Sequence, residues 1–321
     1  CTEAISPLNQ SGWDSAGSVS QIIRTIYFTF GRLGVPLFLF LSGYLLFSRH
    51  PCKTWKDITA FIKSKWIPLL ICYELWVLIY SAFCFIYWDQ FEAKVLLKEL
   101  LLMQQSPFSH LWYMPMIIGI YLVIPFLSVL FQYLGRKFLY ALFFLSLFKS
   151  LFGHHLLIDL QYVGSCYITY LLFGYLVYLL KDKWLHKKSI LFLCAILFAT
   201  FFFYVVFQQI ASYKSGQGFN VWYSYPWLIL CSMVLFPLGY LLNHLKLPIA
   251  NNLSLAAFAI YLTHNLFLVS VIQYFNYVTL IPKSIQTWLL CMFCIVLSYI
   301  TFKAITMLQF QQLNKLLFLT K

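Results

Sequence analysis

Long apolar runs separated by short polar breaks dominate the chain, and their length decides what they are. A helix needs about 20 apolar residues to cross a hydrocarbon core of roughly 30 Å. Nine runs of that kind occur: Phe28–Phe47, Trp66–Tyr87, Leu111–Leu134, Phe138–Phe152, Cys166–Leu180, Ile190–Ile210, Tyr225–Leu242, Leu253–Phe275 and Thr287–Leu308. They are too continuously apolar for the short alternating strands of a membrane barrel. The pattern therefore predicts an all-α polytopic transmembrane bundle, with residues 1–321 forming one integral-membrane domain. Between the runs, FEAKVLLKELLLM in Trp88–His110 has the spacing of an amphipathic interfacial helix, and Ser212–Ser224, with Gly216 and Gly218, reads as a flexible loop.

Composition agrees. Hydrophobic residues make up 62% of the 321 and charged residues only 10%, against about 25% charged in a soluble domain. Lys and Arg outnumber Asp and Glu by 22 to 9, a formal net charge of +13. On a soluble chain that excess would point to nucleic acid; here it sorts by membrane side, which leaves no nucleic-acid partner to infer. One set of loops and the C-terminal segment receives Arg49, Lys53, Lys56, Lys63, Lys65, Arg136, Lys137, Lys181, Lys183, Lys187, Lys188, Lys246, Lys315 and Lys321. The other set receives Lys94, Lys98, Lys214 and Lys283 beside Glu3, Asp14, Asp89, Glu92, Glu99 and Asp159. The positive-inside rule predicts that the first set and the C-terminus are cytoplasmic and that Cys1 is external. An external start without an initiator Met leads to the expectation of one further helix upstream, about ten in all.

An ionisable side chain within a span is a functional candidate because lipid does not solvate it. Arg32 lies in GRLGVPLFLFLSGYLL, where Gly31, Gly34, Pro36 and Gly43 interrupt the apolar run. It either binds an electronegative ligand group beside an opened helix or snorkels to the interface. His264, in SLAAFAIYLTHNLFL, can take and return a proton as a general base or can bond a neighbouring helix. Glu74, in ICYELWVLIY, could neutralise Arg32, orient a base or accept a substrate hydroxyl, or form a structural pair. The Arg49–Lys65 stretch, with Lys63 and Lys65, could set topology, meet anionic lipid or hold the phosphates of an acyl-CoA. His154 and His155 point in different directions on a helix, and no metal site is inferred from them.

Several blocks, in order along nearly the whole chain, resemble the membrane-bound acyltransferase-3 family. They are Arg32 with VPLFLFLSGYLLF, FIKSKWIPLL with Lys63, Lys65 and Pro68, HLWYMPMIIGIYLVIPFL from His110, YLLFGYL from Tyr170 and FAIYLTHNL from Phe258. The resemblance is greatest to short single-domain bacterial members that O-acetylate a cell-envelope glycan, such as enterobacterial common antigen. It implies a multi-pass protein of the bacterial inner (plasma) membrane that moves acetyl from cytoplasmic acetyl-CoA to a hydroxyl of an envelope or lipid-linked saccharide. It further implies that His264, Arg32 and Glu74 border the reacting groups, that Lys63 and Lys65 meet the donor, and that His110, Trp112 and Tyr261 contact substrate. The first-helix Arg and His of that family have no counterpart in the chain, and Lys63-Ser-Lys65 stands where an Arg-rich pair is common. A transporter or flippase for a lipid-linked saccharide, and a sensor or assembly subunit, are the alternative readings.

Overall fold

A computed structural model describes residues 13–14, 17–153, 165–185, 187–242, 248–276, 283–307 and 311–319. His154, His155, Asp159, Lys246 and the segment around Cys1 lie outside the described residues. All regular elements among the described residues are helical. Six continuous helical segments are long and apolar enough to cross a membrane, and the chain is a multi-pass membrane protein. Large apolar side chains such as Phe144, Phe192, Phe203 and Phe207 face outward, as a lipid-facing surface requires.

The first predicted span is two helices. Helix α1 (Ser18–Arg32) begins well before Phe28, and α2 (Gly34–Arg49) follows after a break at Leu33. The Leu33 amide bonds three residues back to Phe30, and Pro36 has no N–H to return to the Arg32 carbonyl. Arg32 therefore sits on the break. Helix α3 (Trp55–Phe61) starts with a capping box in which Thr54 and Asp57 satisfy each other's backbone amides. It runs through a π turn at Ile62–Trp66 into α4 (Ile67–Trp88). There the Ile67 amide reaches five residues back to Ile62; Pro68, one residue on, has no N–H with which to continue a regular α-helical ladder. The predicted amphipathic segment forms α5 (Ala93–Leu100).

Helical hydrogen bonding then runs through α6 (Tyr113–Phe152), but Gly135, at φ 73° and ψ −173°, breaks it into two halves. Ring contacts show that the halves are antiparallel. Trp112 and Ser150 lie level with Tyr167 and Thr169 of α7 (Cys166–Trp184), whereas Phe131 and Phe138 lie together, with Phe131 against Tyr175. The two spans expected at Leu111–Leu134 and Phe138–Phe152 are thus a hairpin turned at one glycine, because only Gly adopts that left-handed φ without a Cβ clash.

The closest packing in the bundle joins α2 to α7. A Cβ on Gly43 would stand 1.8 Å from the Leu171 carbonyl oxygen, and one on Gly174 would stand 2.0 Å from that of Phe40. Small residues let two helices approach backbone to backbone, which in lipid is where much of helix association arises. Phe40, Tyr170, Phe173 and Phe236 fill the space around this seam. Beyond it lie α8 (Lys188–Lys214), α9 (Pro226–Leu242), α10 (Pro248–Asn276) and α11 (Lys283–Met307). A short helix that the apolar pattern did not announce, α12 (Gln311–Phe318), packs on α4, where Trp76 Nε1 donates to the Leu317 carbonyl at 2.9 Å. Phe47, Phe131 and Tyr175 lie at one level, which brings Arg49, the Gly135 turn and the α7–α8 connection to a common basic end.

Candidate functional site

Three of the sequence-predicted residues meet where a 3₁₀ turn, Ser109–Trp112, enters α6 beside α10. Tyr261 donates its hydroxyl hydrogen to the His110 carbonyl at 2.7 Å. The His110 and His264 rings lie 5.2 Å apart, nearly perpendicular.

Partner chemistry assigns the protons on both imidazoles. A carbonyl can only accept, so the His264 Nδ1, 2.7 Å from the Tyr261 carbonyl and 3.1 Å from that of Ile260, carries hydrogen. In the neutral ring this leaves the His264 Nε2 lone pair available to accept a proton. His110 is arranged differently. Its Nδ1 accepts from the Asn265 amide at 3.0 Å, so its Nε2 carries hydrogen and donates to the Tyr80 hydroxyl at 3.1 Å; Tyr80 in turn donates to the Leu262 carbonyl at 2.7 Å. Both nitrogens of His110 are engaged in holding α4, the 3₁₀ turn and α10 together. Sequence reading missed Tyr80 and gave Asn265 no role in this network; nothing in an apolar run distinguishes a tyrosine whose hydroxyl bridges two helices from one that packs.

Arg32 lies nearby in an aromatic cage. Its guanidinium carbon stands 4.6 Å from the Phe28 and Trp222 ring centroids and 5.4 Å from that of Tyr223, and Nη1 donates to the Tyr223 hydroxyl at 3.3 Å. Stacking on π faces suits a weakly hydrated guanidinium in a low-dielectric setting. The loop carrying Trp222 and Tyr223 is pinned by three side chains from α7 and α8. Gln209, fully buried in α8, donates to Thr29 and accepts from the Val221 amide; Tyr170 donates to the Tyr223 carbonyl; Tyr213 donates to Asn220. Trp112 packs on the Trp222 and Tyr223 rings, at 5.9 and 5.3 Å. Arg32, Trp112, Tyr261, His110 and His264 thus belong to one cluster, linked through Tyr113 and Tyr223.

Glu74 is placed elsewhere. It is half-buried on α4, with no hydrogen bond or ion pair to Arg32 or His264 among the described residues. Lys63 and Lys65 lie in the π turn, far along α4 from Tyr80, with Lys63 exposed and Lys65 half-buried. Burial, then the charges of Lys65 and Arg49, hold His50 below the usual imidazole range. The two lysines therefore share the basic end with a neutral imidazole.

Two cavities meet at this cluster. The larger, about 950 Å³, extends from Leu45, Leu69, Lys303 and Asn314 to Tyr113 and Tyr261. A second, about 610 Å³, is a groove walled by Tyr27 and Gly31 of α1, Tyr261 and His264 of α10, and Trp288 of α11. Tyr261 lines both. Toward the end opposite the bases, a third cavity of about 670 Å³ is bounded by Tyr80, Trp88, Asp89, Glu92, Glu99 and Phe108. Within the wall of the 950 Å³ cavity, Asn314 is buried and its Oδ1 has no hydrogen-bond partner among the described residues. Such an acceptor is costly unless something else comes to it.

No curated protein and no solved structure matches the chain. Residues 4–303 match the family model described as an acyltransferase domain, that of the acyltransferase-3 family. That match takes in Arg32, His110, His264 and the cavity walls as far as Lys303, so the chain belongs to the acyltransferase-3 family of membrane acyltransferases.

Proposed function

We propose that the protein moves an acetyl group from acetyl-CoA, taken up at the basic end, to a hydroxyl of a cell-envelope saccharide or lipid-linked glycan held toward the opposite end. The observation that carries this reading is His264: its Nε2 is free to act as a base, and it borders a groove that shares Tyr261 with the large cavity. In the step proposed, His264 Nε2 accepts the acceptor hydroxyl's proton as that oxygen attacks the thioester carbonyl. The C–S bond then breaks, and the same nitrogen returns the proton to the departing thiolate. Arg32, one residue beyond Gly31 in the groove wall, supplies positive charge close to the acceptor side. Asn314 offers its buried Oδ1 to an N–H of the donor's amide-bearing arm, and Lys303, Lys63 and Lys65 favour the donor's phosphates. With the bases on the cytoplasmic face of a bacterial inner membrane, as the positive-inside rule directs, donor and acceptor arrive from opposite sides.

The test is transfer of labelled acetyl from acetyl-CoA to envelope glycan by the full-length protein in proteoliposomes. His264→Gln should lose transfer while remaining membrane-inserted; full activity in that variant would overturn the assignment. Asn314→Leu should raise KM for acetyl-CoA several-fold with kcat unchanged. An unaltered KM would remove Asn314 from the donor site.

A further inference from the structure

A fourth cavity, remote from the cluster, has a chemistry that the transfer reaction does not use. It is a slot of about 580 Å³ with almost wholly apolar walls. The second half of α6 (Tyr140, Phe143, Phe144) and the start of α8 (Ile190, Cys194) form its sides. Leu176 and Val177 of α7 with Met233 of α9 form its floor. The floor is deep: Leu176, Val177 and Met233 are 6%, 9% and 6% exposed. The lip is open, with Phe144 62% and Trp184 53% exposed. The slot is therefore a recess in the bilayer-facing surface, within the roughly 300–1,000 Å³ that small ligands occupy.

One end of this recess carries dense positive charge. Trp184 and Leu185 line the slot where α7 ends, and Lys181, Lys183, Lys187 and Lys188 flank them in sequence. Arg136 and Lys137 lie one turn before Tyr140 and are exposed. Lys181 Nζ stands 4.7 Å from the Tyr178 ring, and Tyr178 stacks on Tyr175, which feels the charge of Arg136. The two basic groups thus lie at the same end of the bundle as the Trp184 rim, with Asp182 the only acid in either sequence stretch. A tryptophan at that rim is what a headgroup boundary selects. Topology alone accounts for bases at this end. It does not account for a concave apolar recess leading up to them.

We propose that the slot is a specific site for one anionic phospholipid, its acyl chain along the α7–α9 floor and its phosphate among Arg136, Lys181, Lys183 and Lys187. Bound there, the lipid fills the gap between the α6 hairpin and α8.

Native mass spectrometry of the full chain in detergent, supplied with equal phosphatidylglycerol and phosphatidylcholine, tests this. One phosphatidylglycerol should be retained per chain at least tenfold in preference to phosphatidylcholine. Cys194→Trp, which fills the recess and leaves every base in place, should reduce that retention tenfold or more, as should Lys183→Gln with Lys187→Gln. Lys53→Gln with Lys56→Gln, at the same end but away from the slot, should leave it unchanged. Equal retention of the two lipids, undiminished retention in Cys194→Trp, or an equal loss in the Lys53/Lys56 variant would overturn the proposal, because diffuse surface charge would then account for the binding. A thermal unfolding profile of Cys194→Trp without lipid, matching that of the parent chain, excludes misfolding as the cause of its loss.

Discussion

The α2–α7 seam and the surroundings of α10 use signature sequence for opposite ends. At the seam, Gly43 and Gly174 bring two backbones so close that no side chain fits between them. Around α10, helices stand far enough apart to leave cavities of about 950 and 610 Å³, and their walls are tyrosine, histidine and tryptophan. Both regions contribute blocks by which the chain resembles its family, yet one fixes helix spacing and the other surrounds a place for chemistry. The same contrast recurs between two histidines: His110 spends both nitrogens on bonds between helices, and His264 spends only Nδ1, on carbonyls of its own helix.

Substitution should separate the two regions cleanly. The largest expected effect is His264→Gln, which removes the proposed base and should lower kcat by roughly 10²–10⁴-fold with thermal stability and membrane content unchanged. A parallel loss of stability would make His264 structural, like His110. Next comes Gly174→Ala. Its new methyl meets the Phe40 backbone, and overpacking of this kind costs about 1–3 kcal/mol or more, so the thermal midpoint in detergent should fall several degrees while KM of surviving protein stays the same. Tyr80→Phe is smaller and mixed. It removes the donor to Leu262 and the acceptor for His110, worth about 1–3 kcal/mol, and should lower both stability and kcat, with His264 chemistry still operating.

The smallest effect is a pH dependence at the cavity bounded by Asp89, Glu92 and Glu99. Burial holds the Glu99 carboxyl above its usual range, with a Ser106 hydrogen bond opposing. A raised folded value means that the folded chain binds the proton more tightly than the unfolded one. The associated stability is therefore present below the ordinary carboxylate pKa of about 4.3 and lost as pH rises through the folded value. Glu99→Gln, which mimics the protonated form, should unfold at a slightly higher temperature than the parent at pH 7 and at the same temperature near pH 4. A difference that persists at pH 4 would refute this account.

Much of the bundle was legible because the bilayer imposes one length and one polarity on every span. The runs from Trp66, Cys166, Ile190 and Leu253 reappear as helices with ends shifted by a few residues. Glycine, proline and charge marked the local backbone events. The break at Leu33 falls among Gly31, Gly34 and Pro36, which already interrupt that run, and the Gly135 turn falls at Gly135-Arg136-Lys137, where the sequence parts two spans; that the first run would become two separate helices was not legible. In the site, Arg32, His110, Trp112, Tyr261 and His264 were singled out by charge or by block and are gathered by the fold. Glu74 was singled out by the same rule and is not, since an intramembrane charge announces that it needs a partner and not which one. Tyr80, Tyr223, Gln209 and Asn314 stayed hidden because their roles depend on helices far away in sequence.

The shared wall at Tyr261 has a consequence for the cell as well as for the reaction. Where a membrane stores energy as a proton gradient, any continuous wet passage through a protein discharges it. A phenol tethered to the His110 carbonyl stands in the wall that the two cavities share. Substituting Tyr261 with glycine would open that wall, and the injury would then be a leak that slows growth whether or not any acyl group is transferred.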